Sequence, residues 1–175
     1  KDFFNRETTV VAKDLLGKIM SVDYVGINLS GVVVETEAYL GINDPGSHSF
    51  RGKTKRNATM FGPAGVSYIY QIYGIYFCYN VTTDREDIPA AVLIRALEPL
   101  TGIEIMKENR GKEKIIDLCS GPAKLVQAMG ITKQMDGTSA VDGPVRFFIG
   151  EKETPFQIVE TTRIGLSQGA DLKLR

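Results

Sequence analysis

Two pairs of β-branched and aromatic runs, each joined by a short connection, most constrain how this chain can fold. Residues 18–25 and 29–39 are separated by three residues, and residues 66–73 and 75–83 meet at Gly74. Runs of this composition with so few residues between them are typical of β-hairpins, whose strands are antiparallel. A parallel, doubly wound sheet is therefore not expected.

The other predicted elements mix strands with short helices. Strands are predicted at residues 90–97, where Glu98-Pro99 is expected to end the strand, and at 145–149 and 157–164. Helices are predicted at residues 9–16, 101–109 and 121–129, with Thr8, Thr9 and Thr101 as capping residues. This order predicts an α+β protein, a single domain over residues 1–175 around a curved, mostly antiparallel, open-barrel-like β-sheet with flanking helices.

Composition excludes several classes of protein and of site. No apolar run approaches the ~20 residues of a membrane span, and the start of the chain lacks the layout of a secretory signal. The two cysteines, Cys78 and Cys119, have no CxxC spacing, which favours a reduced, intracellular protein. One histidine cannot form a multi-histidine metal site, so no metal and no cofactor are expected.

The segment 32–39 carries two acids in an otherwise apolar strand. Because strand side chains alternate, Glu35, Glu37 and Tyr39 are expected to share a face with Val33. Such acids must be solvated, paired or functional, since an unpaired buried carboxylate is costly. A pocket glutamate can deprotonate a water, and two close carboxylates also fit a glycoside hydrolase. An exposed, salt-bridged face is the third interpretation.

The predicted hairpin over residues 66–83 is rich in tyrosine, at Tyr68, Tyr70, Tyr73, Tyr76 and Tyr79. Such a pattern arises either from aromatic cross-strand pairs or from a surface that stacks planar ligands, with Tyr73 as a wedge at the turn. The glycine-rich loop before it contains a basic cluster, Arg51, Lys53, Lys55 and Arg56. Net charge is zero, so this cluster indicates either a solvated loop or a local phosphate-binding surface.

Taken together, these segments resemble the alkyladenine (3-methyladenine) DNA glycosylase family. The matching blocks lie in family order at residues 34–41, 47–49, 55–61, 68–81, 92–99, 118–125 and 163–165. The basic cluster follows the family spacing only loosely. The chain ends at Arg175, where members of the family usually continue through a short apolar strand.

The resemblance implies a chemical role for five residues. Glu37 corresponds to the general base that activates the attacking water, and Arg95 to its companion, which orients the water and the carboxylate. Tyr39, His48 and Tyr70 correspond to the walls of the pocket that receives the flipped base. Glu35 is then left with a structural or electrostatic role.

The resemblance also implies residues for selectivity and DNA contact. Asn80 corresponds to a gatekeeper that would clash with the exocyclic amino group of guanine. Tyr73 corresponds to the wedge that enters the minor groove where a base has been extruded. Met60 and Tyr68 are expected to support the DNA interface, together with the basic cluster Arg51, Lys53, Lys55 and Arg56.

The function implied is that of a monofunctional DNA glycosylase, a monomer co-localised with DNA. Its expected partner is double-stranded DNA containing damaged purines, with no membrane and no obligate protein partner. The expected bases are 3-methyladenine, 7-methylguanine, hypoxanthine and ethenoadenine, without an expected ranking. Hydrolysis of the N-glycosidic bond would leave an abasic site.

Three other functions compete with this interpretation. A carbohydrate glycosidase would use Glu35 and Glu37 as its carboxylate pair, but it leaves the basic cluster unexplained. A non-catalytic nucleic-acid-binding module would read bases with the tyrosines and need no base at Glu37. A bifunctional, lyase-type glycosylase would need an amine for a Schiff base, with Lys124 as the main candidate.

Overall fold

The computed structural model describes residues 2–150 and 156–175, and its centre is a six-stranded sheet. The strands in chain order are β1 (Ile19–Tyr24), β2 (Ile27–Tyr39), β3 (Ser67–Ile72), β4 (Tyr76–Thr83), β5 (Ala90–Thr101) and β6 (Val145–Phe148). They lie in the order β3-β4-β5-β2-β1-β6, and neighbouring strands are antiparallel. The sheet curls into a half-barrel, which confirms the predicted α+β class.

Three short helices flank the sheet, α1 (Thr8–Leu15), α2 (Ile103–Arg110) and α3 (Pro122–Ala128). Helix α1 packs on β2, α3 packs on β4 and β5, and α2 packs on α3. Among residues 2–150 and 156–175, no helix is long and apolar enough to cross a membrane.

Alternation along β3, β4 and β5 gives the sheet two different faces. Side chains that point to the helices form the main core with them, namely Ile69, Tyr79, Val81, Val92 and Ile94. The intervening side chains line a cavity on the opposite face, namely Tyr68, Tyr70, Cys78, Asn80, Leu93 and Arg95. The period of two therefore separates the apolar core from a polar and aromatic surface.

The register between β2 and β5 is irregular, and this irregularity changes the face of the sheet on which Val33 lies. The ladder steps from Val33↔Leu97 to Glu35↔Ala96 and then to Thr36↔Ile94, so one extra residue sits in each strand. A β-bulge reverses the alternation beyond it. Val33 lies in the main core, as Ala38 does. The prediction that Val33 shares a face with Glu37 was therefore wrong.

Strand β5 is longer than predicted because Pro99 does not end it. Pro99 pairs with Gly31 where the register of β2 shifts, and the strand continues to Thr101. A bulge is one of the places where a sheet tolerates proline, because the missing N–H is not needed there.

The predicted threonine caps were wrong because the hydroxyls bond elsewhere. The Thr101 hydroxyl is shared with Ser30 on β2, and Gly102 in the left-handed conformation precedes α2. Thr8 is the first residue of α1, and its hydroxyl accepts from Thr83. Tertiary hydrogen bonds satisfy these hydroxyls in place of the caps.

The predicted strand at residues 157–164 is absent. This segment has no regular secondary structure, and its only reciprocal backbone pair is between Thr161 and Arg175. The side chain of Arg163 turns inward to an ion pair, which holds the segment to the body without a ladder.

Leu125→Ala is expected to lower the free energy of unfolding by about 2–5 kcal/mol, because it leaves a cavity in the core. Leu125 is fully buried in α3, whereas Ile116 is 74% exposed. Ile116→Ala is the matched control, expected to change stability by less than ~0.5 kcal/mol. Urea unfolding followed by circular dichroism measures both, and equal effects would contradict the assigned core.

Candidate active site

A cavity of about 280 Å³ opens on the sheet face opposite the helices. Eight residues predicted for the site line it, namely Tyr39, His48, Met60, Tyr68, Tyr70, Tyr73, Asn80 and Arg95. They come from β2, β3, β4, β5, the loop between β2 and β3, and the turn between β3 and β4. The fold thus brings these separate segments to one concave surface, as is usual for small-molecule sites.

Glu37 is fully buried directly behind the wall of this cavity. One carboxylate oxygen accepts from the Tyr39 hydroxyl at 2.9 Å, and the other accepts from the Ile164 backbone N–H at 2.9 Å. The Arg95 guanidinium lies 3.2 Å from that second oxygen. All three partners line the cavity, so Glu37 is linked to it through each of them.

The Tyr39 hydroxyl acts as a hydrogen-bond donor to Glu37. Burial, followed by the negative charge of Glu37, raises the pKa of Tyr39 far above its ordinary value. The hydroxyl therefore keeps its proton and holds one carboxylate oxygen in a fixed direction. Behind the tyrosine ring lies the Arg163 guanidinium, 4.8 Å from the ring centroid.

Arg95 bonds both acids of the predicted pair. Its Nε donates to Glu35 at 3.1 Å, while its Nη1 lies 3.2 Å from Glu37. Glu35 also accepts from Arg175 at 2.8 Å. The two carboxylates thus contact the same guanidinium, Glu35 at Nε and the fully buried Glu37 at Nη1. This arrangement differs from two carboxyl groups that face each other across a sugar.

His48 and Tyr70 form a stacked aromatic wall. Their ring centroids are 3.6 Å apart at an interplanar angle of 28°, and the Tyr68 hydroxyl lies 3.3 Å from His48 Nδ1. The Arg56 guanidinium lies 4.3 Å from the centroid of Tyr70. Loss of water around the His48 ring, with a smaller effect of Arg56, lowers the pKa of His48 to about 4. His48 is therefore neutral at pH 7.

Asn80, Tyr68 and Met60 are buried in the cavity wall. The Asn80 amide donates to the Tyr68 carbonyl at 3.1 Å, which fixes the plane of the amide. Met60 and Tyr68 pack together in a second small apolar cluster with Ala91. Met60 and Tyr68 are thus buried parts of the pocket wall rather than an exposed surface.

Tyr73 projects from the tip of the β3–β4 hairpin and is 87% exposed. Tyr73 and Gly74 have φ values of 50° and 73°, and Ile75 N–H donates to the Ile72 carbonyl. Two consecutive left-handed residues are the hallmark of a type I′ turn. A tyrosine is uncommon at positive φ, so the turn holds this exposed ring in an unusual conformation.

The members of the basic cluster differ in their contacts. Arg51, Lys53, Lys55 and Arg56 are all exposed, but Arg56 donates to the Gln71 carbonyl and covers Tyr70. The Lys53 ammonium lies 5.5 Å from the Phe61 ring centroid. Asn57, which is buried, anchors this loop by donating to the carbonyls of His48 and Gly52. The loop is therefore fastened next to the His48 wall.

Several residues of the site were missed by reasoning from the sequence. Ile164, Gly165 and Leu166 line the cavity, as do Cys78, Leu93 and Pro122. Residues 163–165 were one of the blocks that resemble the family, but their sequence did not indicate that the Ile164 N–H donates to Glu37. Asp44, which pairs with Arg163 behind the site, follows only a short glycine-containing loop and gave no signal either.

Lys124, the candidate amine for lyase chemistry, is not among the residues that line the cavity. Its ammonium instead lies 3.3 Å from the Ser120 hydroxyl. No lysine within residues 2–150 and 156–175 lines this cavity. The geometry therefore does not support Schiff-base formation by Lys124.

Comparison with known proteins gives a consistent result. The model of a family described as methylpurine-DNA glycosylase matches residues 2–175. A relative from Methanoculleus marisnigri, provisionally named a 3-methyladenine DNA glycosylase, is 50% identical over 99% of this chain and 91% of its own length. A relative from Carboxydothermus hydrogenoformans with the same provisional name is 46% identical over 100% of this chain and 92% of its own length.

The pKa of His48 should be measured as about 4 by NMR titration, because its ring stacks on Tyr70. His48 is the only histidine of the sequence, so its imidazole signals are unambiguous. Tyr70→Ala should raise this pKa towards the ordinary value of ~6.5. A value near 6.5 in the unmodified protein would contradict the stacked arrangement.

The same shift predicts how stability depends on pH. The folded state resists protonation of His48, whereas the unfolded state binds that proton near pH ~6.5. The contribution of His48 to stability is therefore intact above pH ~6.5 and is lost as the pH falls towards about 4. Denaturant unfolding of the wild type and His48→Asn between pH 4 and pH 7 checks this, because the variant should lose that part of the slope.

Proposed function

The chain belongs to the methylpurine-DNA glycosylase family, and on that premise we propose that it excises alkylated and deaminated purines from duplex DNA by hydrolysis. The observation that carries this proposal is the environment of Glu37. A fully buried carboxylate is held by two hydrogen-bond donors, Tyr39 and Ile164, and by an ion pair with Arg95, and all three residues line a cavity with aromatic walls. That arrangement suits a general base beside a pocket for a planar base.

Glu37 activates the attacking water in this proposal. Tyr39, Arg95 and Ile164 fix both carboxylate oxygens, so a water at the point where these residues meet the cavity has a defined acceptor. The water oxygen bonds to C1′ of the sugar, and its proton passes to the Glu37 carboxylate. The bond from C1′ to the purine nitrogen breaks, and its electron pair leaves with the base.

The charge of the damaged base decides how readily it leaves. A cationic alkylpurine such as 7-methylguanine departs as a neutral molecule and needs no proton. Neutral hypoxanthine or ethenoadenine departs as an anion unless it gains a proton, and hypoxanthine would gain it at N7. The neutral form of His48 at pH 7 makes this residue part of an aromatic wall rather than a charged acid.

The aromatic side chains of the cavity stack on the flipped base. Tyr39 at the end of β2 lines the cavity, and so does the stacked pair of His48, from the following loop, and Tyr70, from β3. Base–aromatic stacking is worth about 1–3 kcal/mol per base and tolerates different bases. Such walls therefore suit an enzyme that accepts several purine lesions.

Asn80 supplies selectivity against normal guanine. Its amide is fixed by the bond to the Tyr68 carbonyl and lies in the wall of the cavity. A rigid side chain at this position would clash with the exocyclic amino group of guanine. Hypoxanthine, which lacks that group, would fit.

Tyr73 and the basic cluster engage the duplex around the pocket. The exposed Tyr73 ring would fill the gap that the extruded base leaves, and unstacking costs least at a damaged or mismatched pair. Arg51, Lys53 and Lys55 are exposed in the loop that contains His48 and would contact phosphates. Arg56 would act from its place on Tyr70.

Glu37→Gln is expected to lower the single-turnover rate of hypoxanthine excision by about 10²–10⁴-fold, because the amide cannot take the water's proton. Alkali-sensitive abasic sites in a labelled duplex give the rate, and gel shift gives the affinity, which should be retained. Glu35→Gln is the matched control on the same strand. It weakens two partly exposed ion pairs, with Arg95 and with Arg175, each worth about 0–1 kcal/mol, and should reduce the rate less than ten-fold.

Two outcomes of that assay would reject the proposal. No excision of any of the four lesions by the wild type, despite tight DNA binding, would indicate a non-catalytic binding module. Equal and severe losses in Glu35→Gln and Glu37→Gln would indicate that both carboxylates take part in the chemical step, which would contradict Glu37 as the single base.

Tyr73→Ala is expected to raise the barrier to excision from duplex DNA by about 1–3 kcal/mol, which slows the reaction about 5–150-fold, because the vacated position is left empty. Excision from a single-stranded oligonucleotide should change little, since no base pair has to be replaced. Val25→Ala is a close control, because Val25 has φ 52°, precedes a left-handed glycine and is 89% exposed at another hairpin tip. A loss of the same size on single strands would contradict the wedge.

A further inference from the structure

A buried ion pair lies directly behind the candidate active site. The side chains of Arg163 and Asp44 are both fully buried, and the two guanidinium nitrogens of the arginine fork donate to the two carboxylate oxygens at 2.5 and 2.7 Å. The same nitrogens also donate to the carbonyls of Ala38 and Gly169. The guanidinium therefore joins the end of β2, the following loop and the tail at one point.

The ion pair forms hydrogen bonds with the residues immediately before and after Tyr39 in the chain. Ala38, whose carbonyl accepts from Arg163, precedes Tyr39, and Leu40, whose N–H donates to Asp44 at 3.1 Å, follows it. The guanidinium itself lies against the Tyr39 ring, 4.8 Å from its centroid. Both the backbone and the ring of Tyr39 are thus fixed by the same ion pair.

The tail side of the pair fixes a second contact of Glu37. Ile164, whose N–H donates to Glu37, is the residue next to Arg163 in the chain. Any movement of the guanidinium would therefore shift this donor as well as the Tyr39 hydroxyl. Two of the three groups that hold Glu37 depend on where Arg163 lies.

The pair is tightly packed and electrostatically matched. Burial alone raises the pKa of Asp44, but the hydrogen bonds from Arg163, Leu40 and Gly46 outweigh it and hold that pKa below its ordinary value. A side chain on Gly46 would lie 2.7 Å from Arg163 Nη2 and from Leu166. Buried ion pairs are often no more stabilising than apolar residues of the same volume, so stability alone is a weak reason for one here.

We propose that Arg163, held by Asp44, is a positioning residue that sets the geometry of Glu37 through Tyr39 and Ile164. It touches neither the water nor the base and acts on the chemical step rather than on DNA binding. This inference rests on the proposed glycosylase function with Glu37 as base.

Arg163→Lys tests the proposal, because lysine keeps the charge but loses the planar fork. The single-turnover rate on a hypoxanthine duplex should fall about 10–100-fold, since small misplacements of catalytic groups have effects of this size. The dissociation constant for a duplex with a tetrahydrofuran abasic analogue should stay within about three-fold, because the DNA-contacting residues are unchanged.

Glu160→Gln is the matched control. Glu160 lies in the same tail three residues before Arg163 and pairs with Lys13 on α1, away from Tyr39 and Glu37. The Glu160→Gln variant should excise hypoxanthine and bind the duplex as the wild type does. A similar loss of rate in this variant would show that any loosening of the tail has the effect, which would overturn the specific role of Arg163.

Gly46→Ala tests the same geometry without removing a charge. Its methyl group would lie 2.7 Å from Arg163 Nη2 and displace the guanidinium, so this variant should reduce the rate and keep the affinity as Arg163→Lys does. If thermal melting shows that Arg163→Lys does not fold, the rate and affinity of Gly46→Ala test the positioning role instead. Wild-type rates in either folded variant, or rate and affinity that fall together, would overturn the inference. An inactive wild type would instead refute the proposed function.

Discussion

The burial of one carboxylate determines how the site is assembled. Glu37 has no exposed surface, and an uncompensated carboxylate in such a place would be strongly unfavourable. It accepts hydrogen bonds from β2 and from the tail, whose Ile164 lies 127 positions away along the chain, and it forms an ion pair with Arg95 on β5. The sheet, the β2–β5 pairing and the docking of the tail must therefore all be in place before Glu37 has its full set of partners.

Most of the fold followed from local patterns in the sequence. Alternation in the two hairpins predicted antiparallel strands, and it correctly placed Tyr68 and Tyr70 on one face and Glu37 beside Tyr39. Where prediction failed, a distant group had changed the local outcome. Thr101 forms part of a ladder with Ser30 instead of capping a helix, and Pro99 is accommodated because β2 shifts register opposite it.

The supporting structure of the site could not be predicted in the same way. The bulge at Val34 leaves no mark in a run of three valines, yet it places Val33 in the core. Arg163 and Asp44 are 119 positions apart, in segments without periodicity, so nothing local indicates that they meet. Alternation describes the directions of neighbouring side chains, whereas these features depend on which distant segments pack together.

The left-handed turn under Tyr73 has a consequence for how the protein meets DNA. A bulky side chain at positive φ carries conformational strain, and the surrounding hairpin compensates for it when the chain folds. The ring is therefore already raised above the surface before any duplex arrives, and little ordering of the backbone is left for the encounter. In its proposed role as the wedge, Tyr73 would therefore enter a weakened base step without prior rearrangement of the hairpin.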